Sequence, residues 1–262
     1  MTELTDQATA SRWLAMEGAH NVRDLGGIGL TGGGVTRHGR LLRADALDAL
    51  TPIDVELLAS TFGLRHVIDL RSSTERAERG RGPLGTLTAL SYTEVEVIPA
   101  EALSHRRDAR SAAFERGDDT DVIMGDGYVE LLELGAPAFR SALTALADVD
   151  GVPGLFHCSA GKDRTGVLAA LLLDLAGADR EEIIADYALT EERVPAIVLR
   201  LTGAASFDEL AKQLPVFSFQ AKAGTMRHFL GRLDAEWGGA AGYASSIGVD
   251  DDRIAALRSL LI

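Results

Sequence analysis

The sequence predicts an α/β domain: a parallel sheet with flanking helices. Three observations carry this. Short apolar runs bounded by turn residues alternate with longer stretches of helical periodicity. The chain is 46% hydrophobic and 25% charged, the balance of an ordinary folded protein. A brief apolar strand at 154–157 also runs through a glycine-bearing loop directly into a helical pattern. No repeat, low-complexity linker or membrane-length apolar run interrupts the 262 residues, so one domain over 1–262 is expected.

The elements follow in order. Thr51-Pro52 with Asp54 opens a capped helix that closes at Gly63, and residues 65–70 read as a buried strand. Residues 91–98 alternate and are rich in β-branched side chains, which predicts a second strand. Pro137 opens a helix running to about Asp148, and 154–157 is the strand already noted. Helical spacing from about Gly166 to Leu175 stops at Gly177, and Asp179 caps a further helix bearing Ile183, Ile184 and Tyr187. Ser206 with Glu209 has the form of a capping box, and Ile254, Leu257, Leu260 and Leu261 make the apolar face of a last helix. Phe207, Phe217 and Phe219 crowd together, either as core or as a flap over a pocket, and residues 191–233 are a candidate helical lid. Gly27 to Gly32 spells GxGxxG, but Gly33, Gly34, Val35 and Thr36 follow instead of a helix, so it reads as a turn.

Charge narrows the function. There are 26 Lys plus Arg against 39 Asp plus Glu, a formal net charge of −13, and neither half of the chain is basic. General nucleic-acid binding and integral membrane association are therefore not expected, and any phosphate chemistry must be local. Residues 1–11 hold Glu3 and Asp6 but no Lys or Arg, and no apolar core follows. Residence in the cytoplasm is expected, with export by a route that needs no signal peptide left open. The single cysteine, Cys158, excludes an intramolecular disulfide. Six histidines without an HxxxH pair exclude the common zinc spacings, so chemistry without a cofactor or metal is expected.

Residues 157–166 read His-Cys-Ser-Ala-Gly-Lys-Asp-Arg-Thr-Gly where an apolar strand turns into a helix. A loop entering a helix N-terminus aims several N–H groups and the positive end of the helix dipole at one point, which suits an anion. The N–H groups of Ser159, Ala160 and Gly161 would line that point. Arg164 closes it with a planar fork that grips two oxygens of a phosphoryl group. The same field favours thiolate over thiol, so Cys158 is the expected nucleophile on phosphorus. Thr165 is placed to donate its hydroxyl to the sulfur, and Lys162 adds charge at the rim. A Walker loop does not fit, because Gly161-Lys162 is followed by Asp163 rather than Ser or Thr.

The loop resembles that of the cysteine-dependent phosphatases, and its Lys-Asp-Arg-Thr version resembles the atypical bacterial protein tyrosine phosphatase B group. Further stretches match that group in the same order: GAHNVRDLGG from Gly18, GRLLR from Gly39, IDLRSS from Ile68 and IADY from Ile184. The resemblance implies a tyrosine-phosphatase-like α/β fold with helices able to cover the site. It also implies hydrolysis of phosphotyrosine, phosphoserine, phosphothreonine and phosphoinositides through a phosphocysteine. Partners would then be phosphorylated proteins or phosphoinositides.

A leaving alkoxide or phenoxide needs a proton. The resemblance points to the loop aspartate, Asp163, as the acid, with orientation of a water or of Arg164 as its other role. Where the group carries an aspartate after the strand ending near Ile98, this chain offers only Glu101. Asp69, at a strand end, reads rather as an ion-pair partner for Arg71 or Arg164, and Asp126 as a solvated helix entry. Two basic clusters, His105, Arg106, Arg107 and Arg110, and Arg71, Arg76, Arg79 and Arg81, are either solvated helix faces or a rim for a second substrate anion. Asn21, Arg23 and Asp24 read as scaffold for the phosphate loop, and Tyr128 as core or pocket lining. The alternatives to hydrolysis are a phosphate-recognising pseudophosphatase and a rhodanese-like sulfur carrier, the latter disfavoured by Lys162 to Thr165.

Overall fold

The strands are short and alternate their side chains between two apolar faces. A computed structural model describes residues 12–98, 100–147, 153–213 and 215–262 of the protein, with backbone alone for 100–107, 206, 210 and 213. Five strands, β1 (Arg23–Asp24), β2 (Leu41–Ala44), β3 (His66–Asp69), β4 (Ser91–Glu94) and β5 (Gly154–His157), form one sheet in the order β1-β2-β5-β3-β4. The four-strand core is parallel, as the sequence predicts, and β1 adds an antiparallel edge that it does not. Two residues are too few to show a period, which is why β1 escapes detection.

In the central register Leu155 lies between Leu42 and Val67, and Phe156 between Arg43 and Ile68. Leu42, Val67 and Leu155 pack on one face with Leu58, Leu64 and Leu84. Leu41, Ile68 and Phe156 pack on the other with the larger helical layer. Each such side chain, once buried, stabilises the fold by roughly 1.5–3 kcal/mol. Parallel strands covered on both faces explain the near-continuous apolar runs read from the sequence.

Capping chemistry sets the helix starts. Thr51 and Asp54 close a reciprocal box at α1 (Pro52–Glu56), which continues as a wider turn over Leu57–Thr61. Ser72 and Glu75 do the same at α2 (Ser73–Arg79). The long helices α3 (Ala100–Glu115), α4 (Thr120–Leu134) and α5 (Ala136–Ala147) follow β4. β4 itself stops at Glu94, short of the expected Ile98, because its partner β3 ends at Asp69. After β5 come α6 (Asp163–Leu175) and α7 (Arg180–Ala188), the latter capped by Asp179 as expected. α6 starts three residues before the apolar pattern does, since its first turn is the polar Asp163-Arg164-Thr165.

Beyond these lie α8 (Val194–Leu201), α9 (Ala205–Gln213), α10 (Ala223–Trp237), α11 (Ala240–Ser246) and α12 (Asp251–Leu261). α9 begins one residue before Ser206, whose side chain lies outside the described residues. On α10, Met226, Phe229, Leu230 and Leu233 are fully buried, and this helix packs along α4 as part of the core. The four residues expected for the apolar face of α12 are all buried. The GxGxxG segment is a turn in which Leu30 N–H donates to Gly34 O, with Gly33 and Gly34 at positive φ. The C-terminal ends of β2, β3 and β5 converge on one edge of the sheet, where ligands meet open α/β folds.

Candidate active site

Cys158 leaves the end of β5 and is buried at 2% exposure. It lies in a cavity of about 330 Å³ whose lining includes Glu75, Ser159, Ala160, Lys162, Asp163 and Arg164. The loop between Cys158 and α6 is held by its carbonyls. Arg200 donates to Ser159 O at 2.9 Å, Asn21 Nδ2 to Ala160 O at 3.0 Å, and Arg43 to Gly161 O at 2.8 Å. In a trans peptide the N–H points opposite to the C=O, so these three outward carbonyls turn the N–H groups of Ala160, Gly161 and Lys162 inward. Among the described residues no N-cap side chain bonds the start of α6, leaving its first N–H groups and dipole to the same point. Gly161 sits at φ +67°, and a Cβ there would meet Ala44 O at 2.6 Å and Asn21 Nδ2 at 2.8 Å. Only glycine suits this position.

Arg164 is fixed by a residue the sequence analysis missed. Its Nη1 and Nη2 donate to Glu75 at 2.6 and 2.8 Å, and Nη1 also donates to Leu70 O at 3.2 Å. Glu75 thus takes the outer edge of the fork and leaves the Nε–Nη2 edge, a pair of donors spaced to hold two oxygens of an anion. Ser159 Oγ donates to the same carboxylate at 2.5 Å. Burial would raise the Glu75 pKa, but Arg164 and these donors hold it far below the ordinary carboxylate range. Burial likewise opposes the Arg164 charge, and Glu75 more than offsets it. The available signal was Ser-x-x-Glu straight after a buried strand. It marks a helix start but not the reach of Glu75 to residue 164.

Asp163, in the first turn of α6, accepts from Tyr128 Oη at 2.7 Å and faces Lys162 Nζ at 3.2 Å, both at Oδ1. Burial alone would push its carboxyl up, but Lys162, the Tyr128 hydroxyl and Arg110 bring it below its usual value. Lys162 is buried and points sideways from the loop rim, donating to Ser218 O at 2.5 Å and Gln220 O at 3.1 Å. Among the described residues the buried Thr165 hydroxyl has no hydrogen-bond partner, so the expected bond to sulfur is not formed here.

The other acid candidates lie elsewhere. Asp69 is buried and clasped by Arg71 through three side-chain contacts of 2.6–3.1 Å, the ion-pair role expected of it. Asp126 pairs with His228 and Arg232 outside the cavity. The Glu101 side chain lies outside the described residues, as do those of His105, Arg106 and Arg107. Of the second basic cluster, Arg71, Arg76 and Arg81 are taken up by Asp69 and Glu94. Arg79 pairs with Asp48 and lines the cavity, as does Arg110.

Beneath the loop, Asp186 of α7 receives Arg12 at 2.7 Å, Arg23 at 3.1 Å and Arg43 at 2.6 Å. Of the entry segment, Asn21 reaches the loop carbonyl of Ala160 and Arg23 bonds Asn21 and Asp186, whereas Asp24 accepts from the Gly26 and Gly39 N–H groups instead of bracing the loop. Burial would raise Asp186, and the three guanidinium groups instead hold it far below its ordinary value. A carboxyl depressed in the folded state contributes stability above its unfolded value, near 3.9, and that contribution disappears as pH falls through the folded value. Asp186→Asn is therefore expected to destabilise the fold at neutral pH by about 3–5 kcal/mol, through uncompensated buried arginines. The deficit relative to the parent should shrink below about pH 4, as urea titrations across pH will show.

Residues 14–262 match the family model described as the tyrosine phosphatase family. The chain belongs to the tyrosine phosphatase family. Two relatives agree with this. The phosphatase is 30% identical to the triple specificity protein phosphatase PtpB of Mycobacterium tuberculosis, over 94% of this chain and 98% of that one. It is 29% identical to a tyrosine-protein phosphatase of Nostoc commune, over 83% of this chain and 72% of that one. The expected resemblance and α/β class therefore hold, and the phosphatase hydrolyses phosphate esters. Among the described residues no helix is long and apolar enough to cross a membrane.

Proposed function

We propose that the protein hydrolyses phosphomonoesters of proteins, phosphotyrosine foremost, through a phosphocysteine at Cys158. Phosphoserine, phosphothreonine and phosphoinositides belong to the wider range, and the cytoplasm is the setting. In this reading Ser159 to Lys162 bind the phosphoryl group through N–H groups, and the Nε–Nη2 edge of Arg164 stabilises its equatorial oxygens. Lys162 contributes charge at the cavity lining beside Asp163, and Thr165, whose hydroxyl is not bonded to the sulfur in the structure, turns it to the thiolate when the phosphoenzyme breaks down.

The observation that carries this reading is the pairing of an anion cradle at the cavity floor with apolar walls above it. Ile98, Leu131, Val194, Ile197, Leu201 and Phe219 line those walls, which suits the ring of an aryl phosphate. Within the 191–233 region, α8, α9 and the turn at Val216–Phe219 form the proposed cover. Phe207 stacks edge-on to Phe219 at 6.1 Å, and Phe114 lies 4.9 Å from Phe217. Arg200 fastens the cover through Asp45 and Asp48.

A panel of phosphotyrosine, phosphoserine and phosphothreonine peptides and phosphoinositide vesicles, each with and without EDTA, tests this. Hydrolysis led by phosphotyrosine and indifferent to EDTA is expected. A rate that collapses with EDTA would indicate metal-dependent chemistry. Phosphate binding without turnover of any ester would leave the pseudophosphatase.

A further inference from the structure

Tyr128 and Tyr187 are fully buried side chains that the reaction as described does not use. They come from different helices, α4 and α7, and their hydroxyl oxygens stand 2.6 Å apart with the rings edge-on at 5.9 Å. Tyr128 Oη is also 2.7 Å from Asp163 Oδ1. A phenol has one proton, and a carboxylate can only accept. Tyr128 therefore donates to Asp163, and Tyr187 donates to Tyr128. Gly166 makes room for this stack, since a Cβ there would lie 3.0 Å from Tyr187 Cδ2. Two hydroxyls aligned in a dry interior polarise one another and strengthen the terminal bond to the carboxylate.

The chain of donors ends at the cavity. Oδ1 takes both the Tyr128 hydroxyl and Lys162 Nζ, while Oδ2 takes part in neither contact, and Asp163 lines the cavity beside Cys158. The charged and titratable groups around it are Lys162 and Arg164 on its own segment, Arg110 from α3, Tyr128 from α4 and Tyr187 from α7, with Cys158 and Glu75 lining the same cavity. Burial and the two anionic neighbours favour a proton on Asp163, but Lys162, the Tyr128 hydroxyl and Arg110 outweigh burial and hold it below its usual value.

We propose that Tyr128, backed by Tyr187, is a positioning residue that fixes Asp163 as a carboxylate, so that Asp163 serves as the base of the second half-reaction. This rests on the phosphocysteine reading above. In that step the oxygen of a water attacks phosphorus, its proton passes to Asp163, and the S–P bond breaks with its electron pair returning to Cys158 as thiolate. Inorganic phosphate leaves, and Asp163 then returns the proton to solvent. The leaving group of the first half-reaction takes its proton from water.

Rapid-quench kinetics with 4-nitrophenyl phosphate across pH, with acid trapping of phosphocysteine, tests the assignment on Tyr128→Phe and Tyr187→Phe. The nitrophenol burst should persist in Tyr128→Phe, while breakdown of the phosphoenzyme slows by roughly 10- to 100-fold, the worth of a hydrogen bond to a charged group. Loss of the donor raises the Asp163 pKa, and a base must be ionised, so the ascending limb of the breakdown rate should move to higher pH. Tyr187→Phe should shift the same quantities less. It carries the test alone if Tyr128→Phe does not fold.

Unchanged breakdown and an unmoved limb would overturn the proposal. So would a Tyr128→Phe enzyme whose burst, especially with an alkyl phosphate, gains activity at high pH, because that is the signature of an acid. A parent enzyme that turns over without a trappable phosphocysteine would instead refute the covalent reading. It is distinguished because it fails before any tyrosine is changed.

Discussion

Replacement of Cys158 by serine is expected to abolish turnover, by at least about 10⁴-fold, while leaving the protein able to bind phosphate or vanadate. A serine hydroxyl does not ionise in this setting, so no nucleophile remains. The N–H groups of the loop, the α6 dipole and the Arg164 fork are untouched by the change, because the loop carbonyls are held by Arg200, Asn21 and Arg43. Single-turnover assays paired with vanadate titration calorimetry will separate chemistry from binding. Activity retained to within about tenfold of the parent would exclude attack by sulfur.

Arg164→Lys is expected to lower kcat/KM by about 10³-fold, the upper range for losing a preorganised donor to a developing charge. An ammonium has no planar edge with which to hold two oxygens, and it cannot serve phosphate and Glu75 together. Glu75→Gln keeps the shape but not the charge, so Arg164 loses its anchor while its own donors remain. A loss of roughly 10- to 100-fold is expected there. If Glu75 acts through Arg164, the double variant should lose little more than Arg164→Lys alone. Additive losses would separate the two residues.

What the sequence disclosed was whatever leaves a local pattern. β5, the loop and α6 were legible because strand, glycine turn and helix follow one another within about twenty residues and the nucleophile lies between them. Asp69 was readable as a partner of Arg71 because the two are neighbours at a strand end. Glu75 was not, since nothing local marks a carboxylate that reaches a guanidinium 89 residues away. Lys162 shows a second limit. Spacing places it on the loop, but the carbonyls of Ser218 and Gln220, more than fifty residues on, decide where its ammonium points. Tyr128 was ambiguous for the same reason. Its ring belongs to the core and its hydroxyl to the site, and no periodicity distinguishes the two.

The loop is braced from far along the chain. Asn21 reaches Ala160 across 139 positions, Arg43 reaches Gly161 across 118, and Arg200 returns to Ser159 across 41. Neighbouring residues alone do not hold these ten residues in shape, and closing such long chain loops carries an entropic cost that local helix formation does not. On refolding from urea, helical signal should therefore return before phosphatase activity. A cut that removes Asn21 should disable a nucleophile more than a hundred residues downstream. Activity here reports that the distant ends of the chain have found each other.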